Sequence, residues 1–340
     1  QLTSLKSLHT LDLSHIRIDN TASEQLKKFP QLKSLDISGT RITSTAAVDL
    51  AKTLKQCNLS HAPDPLVDAV AKTAGNVPAA LKTICQVRTN DDGTITGLSG
   101  WKTPLTDAGL GYLVPIKSLK MLSLASCNVT DRGIVRLEAI PGLTELYLTD
   151  TDIGDQAMAT IGSLKNLEGL GLSQTRITDS GMSHLAGLSR LNGLNLNQTR
   201  IGDQGLEHVR SLTALTHLGL KETRVTSRGL RHVANCRALS VVWLDKTRIT
   251  DDAIKPLRRL PSLKRLYLSH TNITDVGLLY LKDNANCEGL ELSHTSITNV
   301  GLKHLHSLKQ LVGVNLSGTR VTKLGIQGLQ KALPKCRVAQ

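Results

Sequence analysis

The chain has 340 residues and a formal charge of +13, and only 2% of its residues are aromatic, so its core is aliphatic and its surface basic. That length is two or three times one ordinary globular domain, unless an elongated repeat uses it as a single body. No stretch approaches about twenty uninterrupted apolar residues, which excludes a membrane-spanning helix. No basic start leads into an apolar run behind Gln1, so a signal peptide is expected to be either lacking or already removed.

In chain order, Leu11 to Ile18 and Leu35 to Ile42 match at an offset of 24 residues, and Ala47 to Leu59 comes next. That last piece resembles the tail from Leu329: Cys57 stands two before Leu59 as Cys336 stands two before Val338. Each array is therefore expected to close with the same helix and terminal strand. No covering element precedes Leu2 or Leu5, which suggests an exposed apolar end, as in a fragment, a processed product or a domain junction.

Residues 60–97 break the period. His61 to Pro65 reads as a turn with Asp64 or Pro65 at a helix start, Leu66 to Ala74 has helical apolar spacing, and a second helix is expected after Pro78. Asn90-Asp91-Asp92-Gly93 is a turn signal before Thr94 to Leu98. The segment reads as a cap that begins a second array, with a flexible linker as the runner-up.

From Leu98 onward the 24-residue offset holds without insertion for ten units of the form LxxLxLxxTxITDxGLxxLxxL, among them Leu146 to Ile153, Leu170 to Ile177 and Leu266 to Ile273. The LxL part predicts a short strand whose leucines point inward. Thr178 or Asp179 then opens a short helix by accepting its free amides, and Leu185 and Leu188 turn that helix back onto the strand. One unit cannot bury its apolar side, but stacked units share a core and a parallel sheet. The expected fold class is α/β: a right-handed, horseshoe-like solenoid with strands on the concave side and short helices on the convex side. The expected domains are a short array at 1–60 with a closing strand, a helical cap or linker at 61–97, and a main array of ten units plus a C-terminal cap at 98–340.

Stacking makes residues 24 apart into neighbours, so function is sought in columns. One neighbourhood of the concave columns combines large aromatics with charges: His217, Lys221 and Glu222 beside Trp243, Asp245 and Lys246, then Arg265, Tyr267 and His270. Exposed Trp, Tyr and Arg anchor protein interfaces, although Trp243 and Tyr267 packing on each other would explain them equally. The next column is basic: Arg176, Arg200, Arg224 and Arg248, with Arg17, Arg41 and Arg320 in equivalent places. Such a ladder suits phosphate, nucleic acid or an acidic protein face. The competing account pairs Arg176, Arg200 and Arg248 locally with Asp179, Asp203 and Asp251.

The remaining columns carry less. His184, His208, His232 and His304 sit just before a core leucine or valine on the convex side with no carboxylate in the column, so no metal site is expected. Cys127, Cys236 and Cys287 take core positions and read as small buried hydrophobes. Free thiols fit a cytoplasmic protein, with an exported form left open. There is no GxSxG, HExxH or GxxxxGK, and the periodic Asp of TDxGL reads as a helix cap, so neither enzyme activity nor a cofactor is expected.

Leu170 to Leu185 and its repeats resemble leucine-rich repeats of the ribonuclease-inhibitor and cysteine-containing class found in F-box-type substrate receptors. The TxITDxGLxxL form is especially similar to bacterial repeat proteins, many of them from planctomycetes. Threonine holds the place where the family usually has asparagine, at Thr151, Thr175, Thr199, Thr223, Thr247, Thr271, Thr295 and Thr319, and its hydroxyl can still bond backbone in the turn. The resemblance implies recognition of a protein partner through the concave face. The alternatives are an anion or nucleic-acid binder using the arginine ladder and a structural arm of a larger assembly.

Overall fold

Most repeats contribute three extended residues, and the middle one is an inward leucine or valine. In the computed structural model, which describes residues 7–14, 18, 20–38, 40, 42, 44–61, 65–258 and 260–340, the chain divides into two units, Gln1–Leu164 and Lys165–Gln340. The exposed apolar end expected at Leu2 and Leu5 lies outside the described residues, as do Arg17, Arg41 and Asp64.

The first unit begins with β1 (Thr10–Asp12), β2 (Ser34–Asp36) and β3 (Asn58–Ser60), parallel, with Leu11, Leu35 and Leu59 in register. Helices α1 (Asn20–Leu26) and α2 (Ser44–Thr53) cover a core that includes Leu26, Phe29, Leu32, Leu35 and Leu50. The period-breaking segment holds α3 (Pro65–Lys72) and α4 (Val77–Ile84), the latter capped by Asn76, whose Oδ1 accepts the Ala79 amide at 3.1 Å. After α4 the chain forms an antiparallel pair that sequence patterning does not foretell. Gln86–Thr89 is β4, paired with β5 (Ile95–Ser99) around a turn in which Gly93 has a φ of 81°. From β5 the order is parallel through β6 (Met121–Ser123) and β7 (Glu145–Tyr147), with α5 (Asp107–Leu110), α6 (Asp131–Ile134) and α7 (Ala157–Ser163) between and after them.

In the second unit eight strands run at constant offset: β8 (Gly169–Gly171), β9 (Gly193–Asn195), β10 (His217–Gly219), β11 (Val241–Trp243), β12 (Arg265–Tyr267), β13 (Gly289–Glu291), β14 (Gly313–Asn315) and β15 (Arg337–Ala339). Every adjacent pair is parallel and joins residues 24 apart. The return segments are α8 (Asp179–Met182), α9 (Asp203–Val209), a 3₁₀ segment at Gly229–Asn235, α10 (Ile254–Leu257), α11 (Asp275–Leu281), α12 (Asn299–Leu302) and α13 (Lys323–Ala332). Within one repeat Leu172, Ile177, Met182, Leu185 and Leu188 are all fully buried. Each such side chain contributes about 1.5–3 kcal/mol relative to exposure.

Three polar devices make the repeat close. First, the threonine hydroxyls donate to the carbonyl three residues back, as from Thr199 to Leu196 and from Thr247 to Leu244, each at 2.6 Å. Cys127 substitutes for one of them, its Sγ donating to the Gly100 carbonyl at 2.9 Å. Second, the residue just before that threonine has a left-handed φ of 53–58° at Lys102, Ser126, Asp150, Gln174, Gln198, Glu222, Lys246, His270 and His294, and Gly318 continues the column.

Third, the Asp of TDxGL is not the helix cap expected of it. Threonine caps the helix: the hydroxyl oxygens of Thr178 and Thr274 accept the amides of Ser180 and Val276 at 3.3 Å. Asp203 instead reaches the next repeat, where its carboxylate accepts the Thr226 amide at 2.7 Å and the Thr226 hydroxyl at 2.6 Å. Asp107, Asp251 and Asp275 do the same with Thr130, Thr274 and Thr298.

Candidate functional site

With the leucines committed to the core, the first and third residues of each strand form the outer strand face. In the second unit Gly171, Asn195 and Gly219 present little bulk at the third position, and then Trp243 and Tyr267 present large rings. Register places these rings on adjacent strands with parallel faces: their centroids are 5.5 Å apart at 17°. His217 extends the row, 6.2 Å from Trp243 at 26°. This is the offset-stacked range in which aromatic pairs attract beyond simple burial. The rings do pack on each other as the competing account required, yet Trp243 and Tyr267 are only half-buried and His217 is exposed, so an open edge faces solvent.

The charged residues expected beside this row separate into two groups. Glu222 gathers Lys246 at 3.0 Å, Lys221 at 3.8 Å and the Gln198 amide at 2.8 Å. The Gln198 hydrogen bond, and then Lys246, hold its carboxyl below the usual value of 4.5. Asp245, by contrast, is a correction to the expected contact set. It is 8% exposed, its Oδ1 accepts the Ser269 amide at 3.0 Å, and burial pushes its carboxyl up. It braces the turn. Asn197 fills the same column and accepts the Lys221 amide in the same way. His270 lies outside the ring row and stacks on His294 with centroids 4.2 Å apart.

Arg176, Arg200, Arg224 and Arg248 are all exposed. The local pairing expected for Arg200 and Arg248 is not found: among the described residues no ion pair joins them to Asp203 or Asp251, whose carboxylates are occupied by the Thr226 and Thr274 hooks. A cleft of about 560 Å³ is lined by Glu222, Thr223, Arg224, Lys246 and Arg248. Among the described residues no group of three His, Cys, Asp or Glu side chains is placed to hold a metal ion. No helix among them is long and apolar enough to cross a membrane.

Two features escaped the sequence reading. Val276, Val300 and Leu324 occupy one column at the starts of α11, α12 and α13, and are 48%, 61% and 75% exposed, an aliphatic stripe on the helical side. On the strand face, Gly289 and Gly313 leave a trough of about 450 Å³ between Arg265 and Arg337. The aliphatic stripe was legible as a departure from its column, where Ser180, Gln204, Arg228 and Asp252 are polar; the trough was legible only as two successive glycines flanked by Arg265 and Arg337 in a column that also holds Gly169 and Gly193.

A family model described as a leucine-rich repeat matches residues 117–137 and 259–282. The fold comparison extends this to the whole chain. An internalin (inlF) from Listeria monocytogenes superposes with a TM-score of 0.58 at 19% identity, over 99% of this chain and 87% of its own. The chain has the leucine-rich repeat fold. A leucine-rich repeat protein of Leptospira interrogans gives a TM-score of 0.55 at 17% identity, over 100% and 98% of the two chains. The mouse RP105/MD-1 complex gives 0.59 at 18% identity, over 97% of this chain and 54% of that one. No curated protein matches. At these identities the likeness is one of fold, an α/β leucine-rich repeat solenoid, and leucine-rich repeat proteins commonly serve as scaffolds for protein interaction.

Proposed function

We propose that this leucine-rich repeat protein is a non-enzymatic scaffold that binds a protein partner through the strand face of its second unit. The observation that carries the reading is the stacked row of His217, Trp243 and Tyr267, open to solvent on a face whose other positions are small or polar. The contact set comprises those rings with Lys221, Lys246, Arg265 and His270; Asp245 supports the surface from below. A rigid aromatic row loses little conformational freedom on binding and suits the centre of an interface. The RP105 fold relative is itself known in complex with another protein, MD-1, which fits this reading. We also read the repeats as belonging to the ribonuclease-inhibitor and cysteine-containing class, with bacterial, planctomycete-type sequences as the nearest form. Residues 1–60 and 98–340 are then two arrays and 61–97 the cap between them.

Trp243→Ala removes the middle ring while Val242 and Leu244 keep the strand seated in the core. Capture of a discrete protein from host lysate is expected to fall by about 30-fold or more, corresponding to about 2 kcal/mol. An unchanged melting temperature shows that the fold is intact. Equal capture by parent and variant removes the proposal.

A second reading is favoured by the cleft between Arg224 and Arg248, where three cations, Arg224, Lys246 and Arg248, share the lining with the single carboxylate of Glu222. There the ligand is an anion such as a phosphate, and binding collapses as salt rises.

A further inference from the structure

The trough at the C-terminal end of the strand face has a floor made by omission. The first position of each strand carries His217, Val241 and Arg265 on β10 to β12, then Gly289 and Gly313, then Arg337 on β15. Two side chains are therefore missing between two arginines, and the gap of about 450 Å³ is what remains. At about 4.8 Å per strand, Arg265 and Arg337 stand roughly 14 Å apart at the backbone. Arg265 leans inward: its Cγ lies 3.5 Å from where a Cβ on Gly289 would be. Over Gly313 the space is open, with nothing within 4 Å.

The trough lining carries two arginines and two glutamates, and the acids are engaged by other neighbours than the arginines. Glu288 is held by Lys264 at 2.9 Å. Glu291 accepts from the Ser269 hydroxyl and from the Asn315 amide, one on each oxygen, both at 3.0 Å. Both acids are thus committed to neighbours. Among the described residues, Arg265 and Arg337 have neither an ion pair nor a side-chain hydrogen bond, and both are exposed. Guanidinium groups held this way are ready donors to carboxylates.

We propose that this trough receives an extended acidic segment of the partner protein, its backbone lying over Gly289 and Gly313 and its carboxylates reaching Arg265 and Arg337. The inference rests on the strand face being the binding face and names the chemistry of what one end of it takes. An extended chain places the side chains of residues i and i+2 on one face about 7 Å apart. Arg265 leans inward and Arg337 stands roughly 14 Å away at the backbone, a span that carboxylates at i and i+2 or i+4 of such a chain can bridge. Peptide is favoured over nucleic acid because Tyr267 is the one aromatic ring in the trough lining, whereas single strands are held on successive stacking rings.

The glycine floor supplies the test. Gly313→Val adds a side chain where no atom lies within 4 Å and the φ is not left-handed, so the fold is retained and the trough is filled. Gly193→Val makes the same change at an equally open site on β9, far along the sheet, and is the control. The probe is a fluorescently labelled acetyl-(Gly-Glu)4 peptide, compared with acetyl-(Gly-Gln)4, with binding to the whole chain read by anisotropy at low salt. Expected are binding of the glutamate peptide only, at least about tenfold weakening by Gly313→Val and by Arg337→Gln, and less than about twofold change with Gly193→Val. The proposal is overturned by equal binding of both peptides, by an unaffected Gly313→Val protein, or by no binding of the glutamate peptide up to about 1 mM. Complete displacement of the bound peptide by an oligothymidylate of equal charge, with a Gly313→Val protein that still binds that oligonucleotide, overturns it as well. Lysate capture by the Trp243→Ala protein reports on the face as a whole. Loss there with an intact Gly313 effect keeps both inferences, and loss there without a Gly313 effect keeps the face and removes the trough.

Discussion

Cys236 and Cys287 sit where other repeats have leucine, and both are fully buried. Without water to solvate a thiolate, burial pushes the Cys236 thiol up to about 11 and the Cys287 thiol up to about 12. Thiolate is the reactive form, so at pH 8 these two are inert in the folded chain. A chromogenic disulfide reagent is expected to miss both under native conditions and to titrate both in guanidinium. Rapid native reaction at either position would contradict the packing. The same exclusion of water acts differently on Asp245, a buried carboxylate in a column of small and polar residues. There it is tolerated because the Ser269 amide donates to it.

Among the elements, the Asp hook explains the glycine of TDxGL. A Cβ on Gly229 would come within 2.5 Å of Asp203 Oδ1, and one on Gly205 within 2.6 Å of Asp179 Oδ1. The glycine is there to admit the carboxylate of the preceding repeat. The chain contains its own control: where Ser227 replaces the aspartate, the next repeat has Ala253, and the shorter Ser227 Oγ still accepts the Thr250 amide at 3.0 Å. Ala157 comes after Asp131 without a glycine, but there Gly154 replaces threonine and α7 starts later. Asp203→Ala leaves the Thr226 amide without its acceptor, and Gly229→Ala forces the hook to move. Each is expected to lower stability by about 1–3 kcal/mol in denaturant titrations. The double variant should cost less than the sum, because the tightest part of the clash is with the carboxylate. Strict additivity would separate the glycine from the hook.

Across the molecule, a charge of +13 makes some attraction to polyanions unavoidable, and the arginine ladder concentrates it on one column. With their neighbouring aspartates occupied by hooks, Arg200 and Arg248 keep their full charge available to solvent and to anions. Replacing Arg200, Arg224 and Arg248 together by Gln is expected to reduce the slope of log affinity for duplex DNA against log salt by about 3. Partner capture through Trp243 should be unchanged. If both fall together, the ladder and the aromatic row form one site.

The repeat, its period, the inward leucines, the threonine turn and the helical return are all legible in the amino-acid order, because each depends on local geometry that recurs every 24 residues. The neighbourhood of His217, Trp243 and Tyr267 is legible too, since constant offset turns sequence distance into strand adjacency. The bonds that cross between repeats emerge only on folding: Asp203 bonds Thr226 and not Arg200, Asp245 turns inward, and β4 pairs antiparallel with β5. Folding likewise turns two missing side chains into a trough with an arginine at each wall. Periodicity fixes which residues are neighbours. Side-chain direction and hydrogen-bond occupancy, set by the packing of one repeat on the next, decide which of those neighbours remain open to a partner.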